Sequence, residues 1–369
     1  MTSGREAGTG GERYSWETIG AWAEDGDAER IGALGEGLAV QRREAHDRLR
    51  ALDRDLGLVL RVLALTPGRR FLEQLLALLV RAREAYVGEE RSSRRIASLI
   101  AEAQPLDDAL YVLWEGGREH DELRACLFHE LLLRGVNPER LMPRHTPRPE
   151  PSWHDLAWLP DRLADMEYGA VPSGGCGSAD IPYDGLVSPV WVDAAVRRAA
   201  TGRQLHEWAS AELLRLIGEP PRVGGWCNYE ARVFVSDRSI SRADVPGVVT
   251  TLPMDCVRGL AEHDRFEVEA YSLDKVWETL YATAANGGVY HSGAGGAHGR
   301  LAAWRSIAGL CGAGATTTAA AVEHRARACV WFRFEADSEW FFNEIYDYGI
   351  AALTPDGRHL AVLAATDTD

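Results

Sequence analysis

From Trp16 to about Met142 the apolar residues recur with a period near that of an α-helix, and this spacing predicts a run of helices. The clearest one starts at Thr66-Pro67. Thr66 is a capping residue type, and Pro67 suits a first helical position because the N–H it lacks has no partner there. Phe71, Leu72, Leu75, Leu76, Leu79 and Ala82 then share one face, with Arg69, Glu73, Arg81 and Glu84 elsewhere. Leu49, Leu52, Leu56, Val59, Leu60 and Leu63 repeat the pattern upstream. Ile96, Leu99 and Ile100 mark another helix. Pro105 opens the next, and Leu123, Cys126, Leu127 and Leu131 lead to a helix stop at Gly135. Short polar connections between such helices imply antiparallel neighbours, so this half reads as a helical bundle or a stack of helical hairpins. No fixed internal period marks a repeat family.

The texture changes after Pro143–Ser152, a stretch with four prolines that reads as a linker. Residues 153–188, rich in Gly, Pro and aromatics, read as irregular, and a helix is predicted at about 203–217 with Leu205, Trp208, Leu213 and Leu216 on one side. Strand patterns follow. Tyr229–Val235 and Phe266–Tyr271 alternate apolar and polar residues, Val248–Leu252 is a short β-branched run, and Val330–Phe334 alternates again. Helices are expected over Leu273–Ala285, 300–311 and 317–328. Near the end, Ile350–Leu353 and His359–Ala364 flank Thr354-Pro355-Asp356-Gly357. Pro presets the second turn position, Asp bonds its own backbone and Gly supplies a positive φ, so this is a β-hairpin. Its strands are apolar on both faces and should both be buried. The chain is therefore expected to be α+β. A polar tail, 1–14, reads as disordered. A helical domain over 15–142 and the linker 143–152 lead to a mixed α/β domain over 153–369, whose mainly antiparallel sheet ends in the hairpin.

Charge narrows the partners. A formal net charge of −15 over 369 residues gives no basic field for nucleic acid or an anionic membrane, and favours a basic protein if there is a partner at all. The cations are almost all Arg, with Lys275 the lone lysine. The six cysteines are scattered without a CxxC pair, which points to a reducing compartment. No apolar leader opens the chain and no apolar run reaches membrane-spanning length, so a cytoplasmic location is expected.

Four segments could carry chemistry. Tyr290–Arg300 (YHSGAGGAHGR) precedes a helical pattern, so Gly293, Gly295 and Gly296 could expose backbone N–H groups to an anion, with His291, His298 and Arg300 as further donors. A helix end contributes only about 0.3–1 kcal/mol, while millimolar affinity needs about 4 kcal/mol, so the loop cannot suffice alone. Cys227 and Cys176 sit in glycine-containing loops, with His291, His298, Asp337 and Asp347 downstream in an order some cysteine hydrolases use. Neither has the following helix that lowers a thiol pKa. No HExxH or paired Cys/His spacing is present, so neither a metal site nor a cofactor is expected. The aromatic–acidic segment Trp331–Tyr348 reads chiefly as core between sheet and helix, and becomes a protein-binding surface only if its rings stay exposed. The terminus Ala365–Asp369 reads as a solvated acidic tail.

Gly299–Gly312 (GRLAAWRSIAGLCG) and Gly349–Asp369 together resemble a family of uncharacterised proteins from high-GC bacteria, a domain of unknown function, over the C-terminal half. The resemblance implies no activity and no catalytic residues, and draws attention to the loop 287–300 and the tail. With no competent catalytic set in view, the expected role is a non-enzymatic, protein-binding or accessory protein, of the immunity type for example. The alternative is an enzyme or small-anion-binding protein with its site at 290–300.

Overall fold

In the N-terminal part the helical period is realised as α1 (Trp16–Glu24), α2 (Ala28–Glu44), α3 (Leu49–Leu65), α4 (Arg69–Ala82), α5 (Glu89–Ala103) and α6 (Leu106–Glu115). The structure is a computed structural model, and it describes residues 15–45, 49–82, 89–142, 148–167, 186, 189–200, 202–261, 264–341 and 347–367. The expected tail 1–14 lies outside them. Ser15 caps α1 by accepting the Thr18 N–H, and Asp27 caps α2 by accepting that of Arg30. The apolar stripes of α3 and α4 meet in a core that includes Leu56, Val59, Leu63, Leu72 and Leu75, each at most 3% exposed.

The expected cap at Thr66 is not formed. Thr66 directly follows α3, where its hydroxyl donates back to the Val62 carbonyl at 2.8 Å, and α4 starts only at Arg69. The junction is closed by buried Gln104. Its amide Nε2 donates to the Ala64 carbonyl at 2.8 Å and the Thr66 carbonyl at 2.7 Å, and its Oε1 accepts the Gly68 N–H at 3.1 Å. Gly68 has a φ of 128°, a value only glycine takes without strain.

Two compact units divide between His120 and Asp121, upstream of the stretch 143–152. The second unit opens with α7 (Asp121–Leu133), whose chain reverses at Gly135 with a φ of 77°. A short helix, α8 (Pro138–Leu141), and 3₁₀ turns at Asp155–Trp158 and Asp165–Glu167 follow. The described part of the proline-rich stretch is packed rather than free: Glu150 is buried and ion-paired with Arg148.

Among the described residues the sheet is antiparallel and seven-stranded, in the order β1-β4-β5-β6-β7-β3-β2. Its strands are β1 (Val190–Trp191), β2 (Leu205–Glu207), β3 (Asn228–Ser236), β4 (Phe266–Tyr271), β5 (Val330–Ala336), β6 (Tyr348–Leu353) and β7 (His359–Thr366). The helices between are α9 (Ala194–Ala200), α10 (Ala211–Ile217), α11 (Glu219–Gly224), α12 (Val245–Val249), α13 (Leu273–Asn286), α14 (Gly295–Leu310) and α15 (Ala319–Ala328). Phe234, Phe266, Phe334, Leu360 and Val362 pack one sheet face against Val245, Val248, Leu252 and Met254. Alternate residues turn to the other face, where α10, α13 and α14 lie against β3, β5 and β7. With both faces covered, β6 is wholly buried and β7 is buried but for His359, as the apolar runs around the TPDG turn predict. Gly357 donates to the Thr354 carbonyl at 2.8 Å to close that turn.

Three elements differ from expectation. Leu205–Glu207 is a strand, not the start of a helix. It pairs with β3, and the helix waits for Ser210, whose hydroxyl accepts the Leu213 N–H. Val248–Leu252 falls in and after a helix. Val245, Val248, Val249 and Leu252 are spaced i, i+3, i+4, i+7 and all are buried, so the period was helical once read from Val245. The glycine-rich segment itself forms the first turn of α14, five residues before the predicted start. Trp331, Phe332, Phe334, Phe341 and Tyr348 are all buried, so these rings build core; residues 342–346 lie outside the described set. Among the described residues no helix is long and apolar enough to cross a membrane.

Candidate functional site

α7 carries Glu122 and Cys126 four residues apart, which puts them one above the other on one helix face. α14 packs against α7 and presents His298 from its first turn. The Cys126 Sγ lies 3.6 Å, and the His298 Nε2 3.1 Å, from the same oxygen, Glu122 Oε1. The three donor atoms all lie within 4.8 Å of one another. The other oxygen, Oε2, is 2.6 Å from His154 Nε2. His154 caps the 3₁₀ turn that follows it: its Nδ1 accepts the Leu156 N–H at 3.1 Å. That bond leaves Nδ1 without a proton, so Nε2 carries it and donates to Glu122.

Exposure is graded across the cluster. Cys126 is buried, the side chains of His154 and His298 are 5% and 12% exposed, and that of Glu122 is 26% exposed. Burial works against a charge on Glu122, but the hydrogen bonds from His154 and His298 outweigh it and hold the carboxyl well below the usual carboxylate range. An anionic oxygen, an imidazole nitrogen and a thiol thus converge on one point.

Deeper between the same helices lies a fully buried guanidinium. Arg300 donates to Glu167 through Nε at 2.6 Å and Nη2 at 2.9 Å, to the carbonyls of Pro160 and Arg162, and through Nη1 to His129 Nδ1 at 2.7 Å. Arginine can only donate, so His129 accepts and is neutral, its Nε2 facing Glu150 Oε1 at 3.6 Å. Burial is the main reason the His129 pKa is pushed down to about 4; the carboxylate of Glu150 pulls it up and Arg300 pushes it down.

The segment 290–300 is therefore split three ways. Arg300 is spent inside the protein, His298 joins the thiol–carboxylate cluster, and His291 is exposed with its ring against Gly225. The start of α14 does hold an anion, but it is the chain's own: the Glu130 Oε1 accepts the Ala297 N–H at 3.0 Å. A Cβ at Gly296 would come within 2.6 Å of that carboxylate, which is why glycine stands there. Gly293 donates to the Asn286 carbonyl at 3.0 Å, and Gly295, with a φ of 77°, opens the helix. Cys227 is exposed, and its backbone N–H is bonded to Asp367 Oδ1 at 2.9 Å; Cys176 lies outside the described residues. Asp367 itself is 1% exposed and accepts the Val289 N–H at 2.6 Å as well, so this part of the acidic terminus is an internal clamp, not a solvated tail.

Sequence reasoning nominated His298 for another role and passed over Glu122, Cys126 and His154. The E-x3-C spacing on a helix was the legible half of the signal. His154, and the approach of α14, have no local trace. The neighbouring cavity of about 550 Å³, lined by His154, Trp158, Arg215 and Arg305, is a weaker candidate, because Arg305 is already held by Glu219 at 3.0 Å and Asp155 at 3.2 Å.

Fold and site together define an α+β protein with a helical unit, a helix-covered antiparallel sheet and an S/N/O side-chain cluster between two helices. The chain belongs to the family of unknown function DUF6183, which it matches over residues 13–369, in both units and not in the C-terminal half alone. No curated protein and no solved structure shows a significant match.

Proposed function

We propose that this protein binds a transition-metal ion, zinc by preference, through Glu122 Oε1, Cys126 Sγ and His298 Nε2. The observation that carries the reading is the convergence of a thiol and an imidazole on one carboxylate oxygen, at 3.6 and 3.1 Å. Zinc bond lengths of about 2.0–2.3 Å at the tetrahedral angle require donor–donor separations of roughly 3.3–3.6 Å; the two separations from Oε1 are close to this, and the thiol–imidazole one, within 4.8 Å, is brought to it by side-chain rotation. The donor set also suits the ion: thiolate and imidazole select zinc over magnesium or calcium, which take oxygen ligands. Purified protein loaded with zinc and then dialysed should retain about one ion per chain by elemental analysis, since the described residues bring together one such cluster. C126S and H298A should each lose it. Wild-type protein that retains no zinc above a dialysed control overturns the reading.

A basic protein partner is the second reading. It is favoured by the net charge of −15 and by the exposure of Trp153 (75%) and Trp208 (58%) outside the core.

A further inference from the structure

We propose that His154 is a positioning residue that holds Glu122 to coordination through one oxygen, and so sets the centre for a small four-coordinate ion over larger, oxygen-seeking cations. The inference rests on the metal reading above and goes beyond it by assigning selectivity to a residue that is not itself a ligand.

The argument is one of hydrogen-bond direction. His154 begins a 3₁₀ turn, and its Nδ1 is committed to the Leu156 N–H. Its Nε2 therefore bears the proton and can donate but not ligate. That donor is aimed at Glu122 Oε2 at 2.6 Å, a charge-assisted bond at the short end of the range. Oε1, the oxygen left over, is the one that faces Cys126 and His298. The two carboxylate oxygens thus have separate tasks, and an ion at the centre meets one of them. Calcium and manganese ions need six or more donors, often including a bidentate carboxylate, whereas zinc is satisfied by four. His154 is well placed to keep this orientation: it is buried, its turn is fixed by its own cap, and its ring lies 6.4 Å from that of His298.

Two substitutions separate this role from ligation and from simple structural loss. H154N keeps an acceptor near Nδ1 for the turn but cannot reach Glu122. H154Q places an amide N–H near Nε2 and restores the donor. Zinc affinity is read by competition with a chromophoric chelator, and geometry by the visible bands of the cobalt(II)-loaded protein. H154N should bind zinc about 10–100-fold more weakly, the usual effect of losing an outer-sphere partner. Its preference for zinc over manganese should fall, and its cobalt bands should lose four-coordinate intensity. H154Q should stay close to wild type in all three. If H154N matches wild type in affinity and spectrum, the positioning role is wrong while zinc binding stands. If H154Q fails as badly as H154N with its thermal unfolding unchanged, His154 is a ligand and the inference is overturned. If wild type itself binds no zinc, the parent reading falls and this one with it.

Discussion

His129 shows how one contact fixes a protonation state. The Arg300 guanidinium can only donate, so the imbedded imidazole must offer a lone pair at Nδ1. Folding thus favours the neutral ring, and its pKa falls from the ordinary 6.5 to about 4 because it is buried, despite the pull of Glu150. The sign for stability follows. The unfolded chain binds this proton below about pH 6.5 and the folded chain only near pH 4, so the contribution is complete above 6.5 and lost as pH falls between the two. The loss is on the order of 3 kcal/mol. Denaturant titrations from pH 7 to 4 should show this decline in the second unit, and H129N, which keeps an acceptor for Arg300, should flatten it. An unchanged slope in H129N would assign the decline to other groups.

Among the elements, the α3–α4 junction is held by one side chain rather than by the cap its sequence advertises. Gln104 answers the buried Ala64 carbonyl and the half-buried Thr66 carbonyl and Gly68 N–H, which would otherwise lose this partner. Leaving such groups unpaired costs about 1–3 kcal/mol. Q104A should therefore lower the stability of the helical unit by about 2 kcal/mol, read by chemical denaturation, with Q104E intermediate because its carboxylate keeps only the acceptor. A Q104A variant as stable as wild type would show that water replaces the amide. The α7–α14 pair is built differently. Apolar contacts are interrupted by two polar layers, the Glu122–Cys126–His298 cluster and the Arg300–Glu167 pair, and Glu130 stands at the α14 N-terminus. The Arg300–Glu167 pair, the Glu122–Cys126–His298 contacts and the Glu130–Ala297 bond are specific in direction, and they fix the register of one helix on the other.

At the scale of the molecule, every proposed ligand lies in the unit that begins at Asp121. Metal binding should then stabilise that unit alone, by about 2.7 kcal/mol at a free concentration a hundredfold above the dissociation constant. Hydrogen exchange with and without zinc should show added protection in α7 and α14 and none in α1–α6. Protection spread equally over both units would mean that the metal acts elsewhere. The acidic balance of the whole chain does not oppose this, since a negative field draws cations in.

How much was legible depended on the range of the interactions. The helices of the first unit, the alternating strands and the TPDG hairpin are written in local spacing, because a helix or strand buries one face and repeats it at 3.6 or 2 residues. Composition likewise set the charge. Errors arose where a short segment took its state from a neighbour: Leu205–Glu207 is a strand because the edge of β3 offers it hydrogen bonds, and Thr66 is not a cap because Gln104, 38 residues on, serves the turn instead. The site was the least legible part. Glu122 and His298 are 176 residues apart, and nothing local to either announces the other. Only the packing of α14 on α7 brings thiol, imidazole and carboxylate to one point, and only the direction of the His154 hydrogen bond decides which oxygen is left to meet an ion.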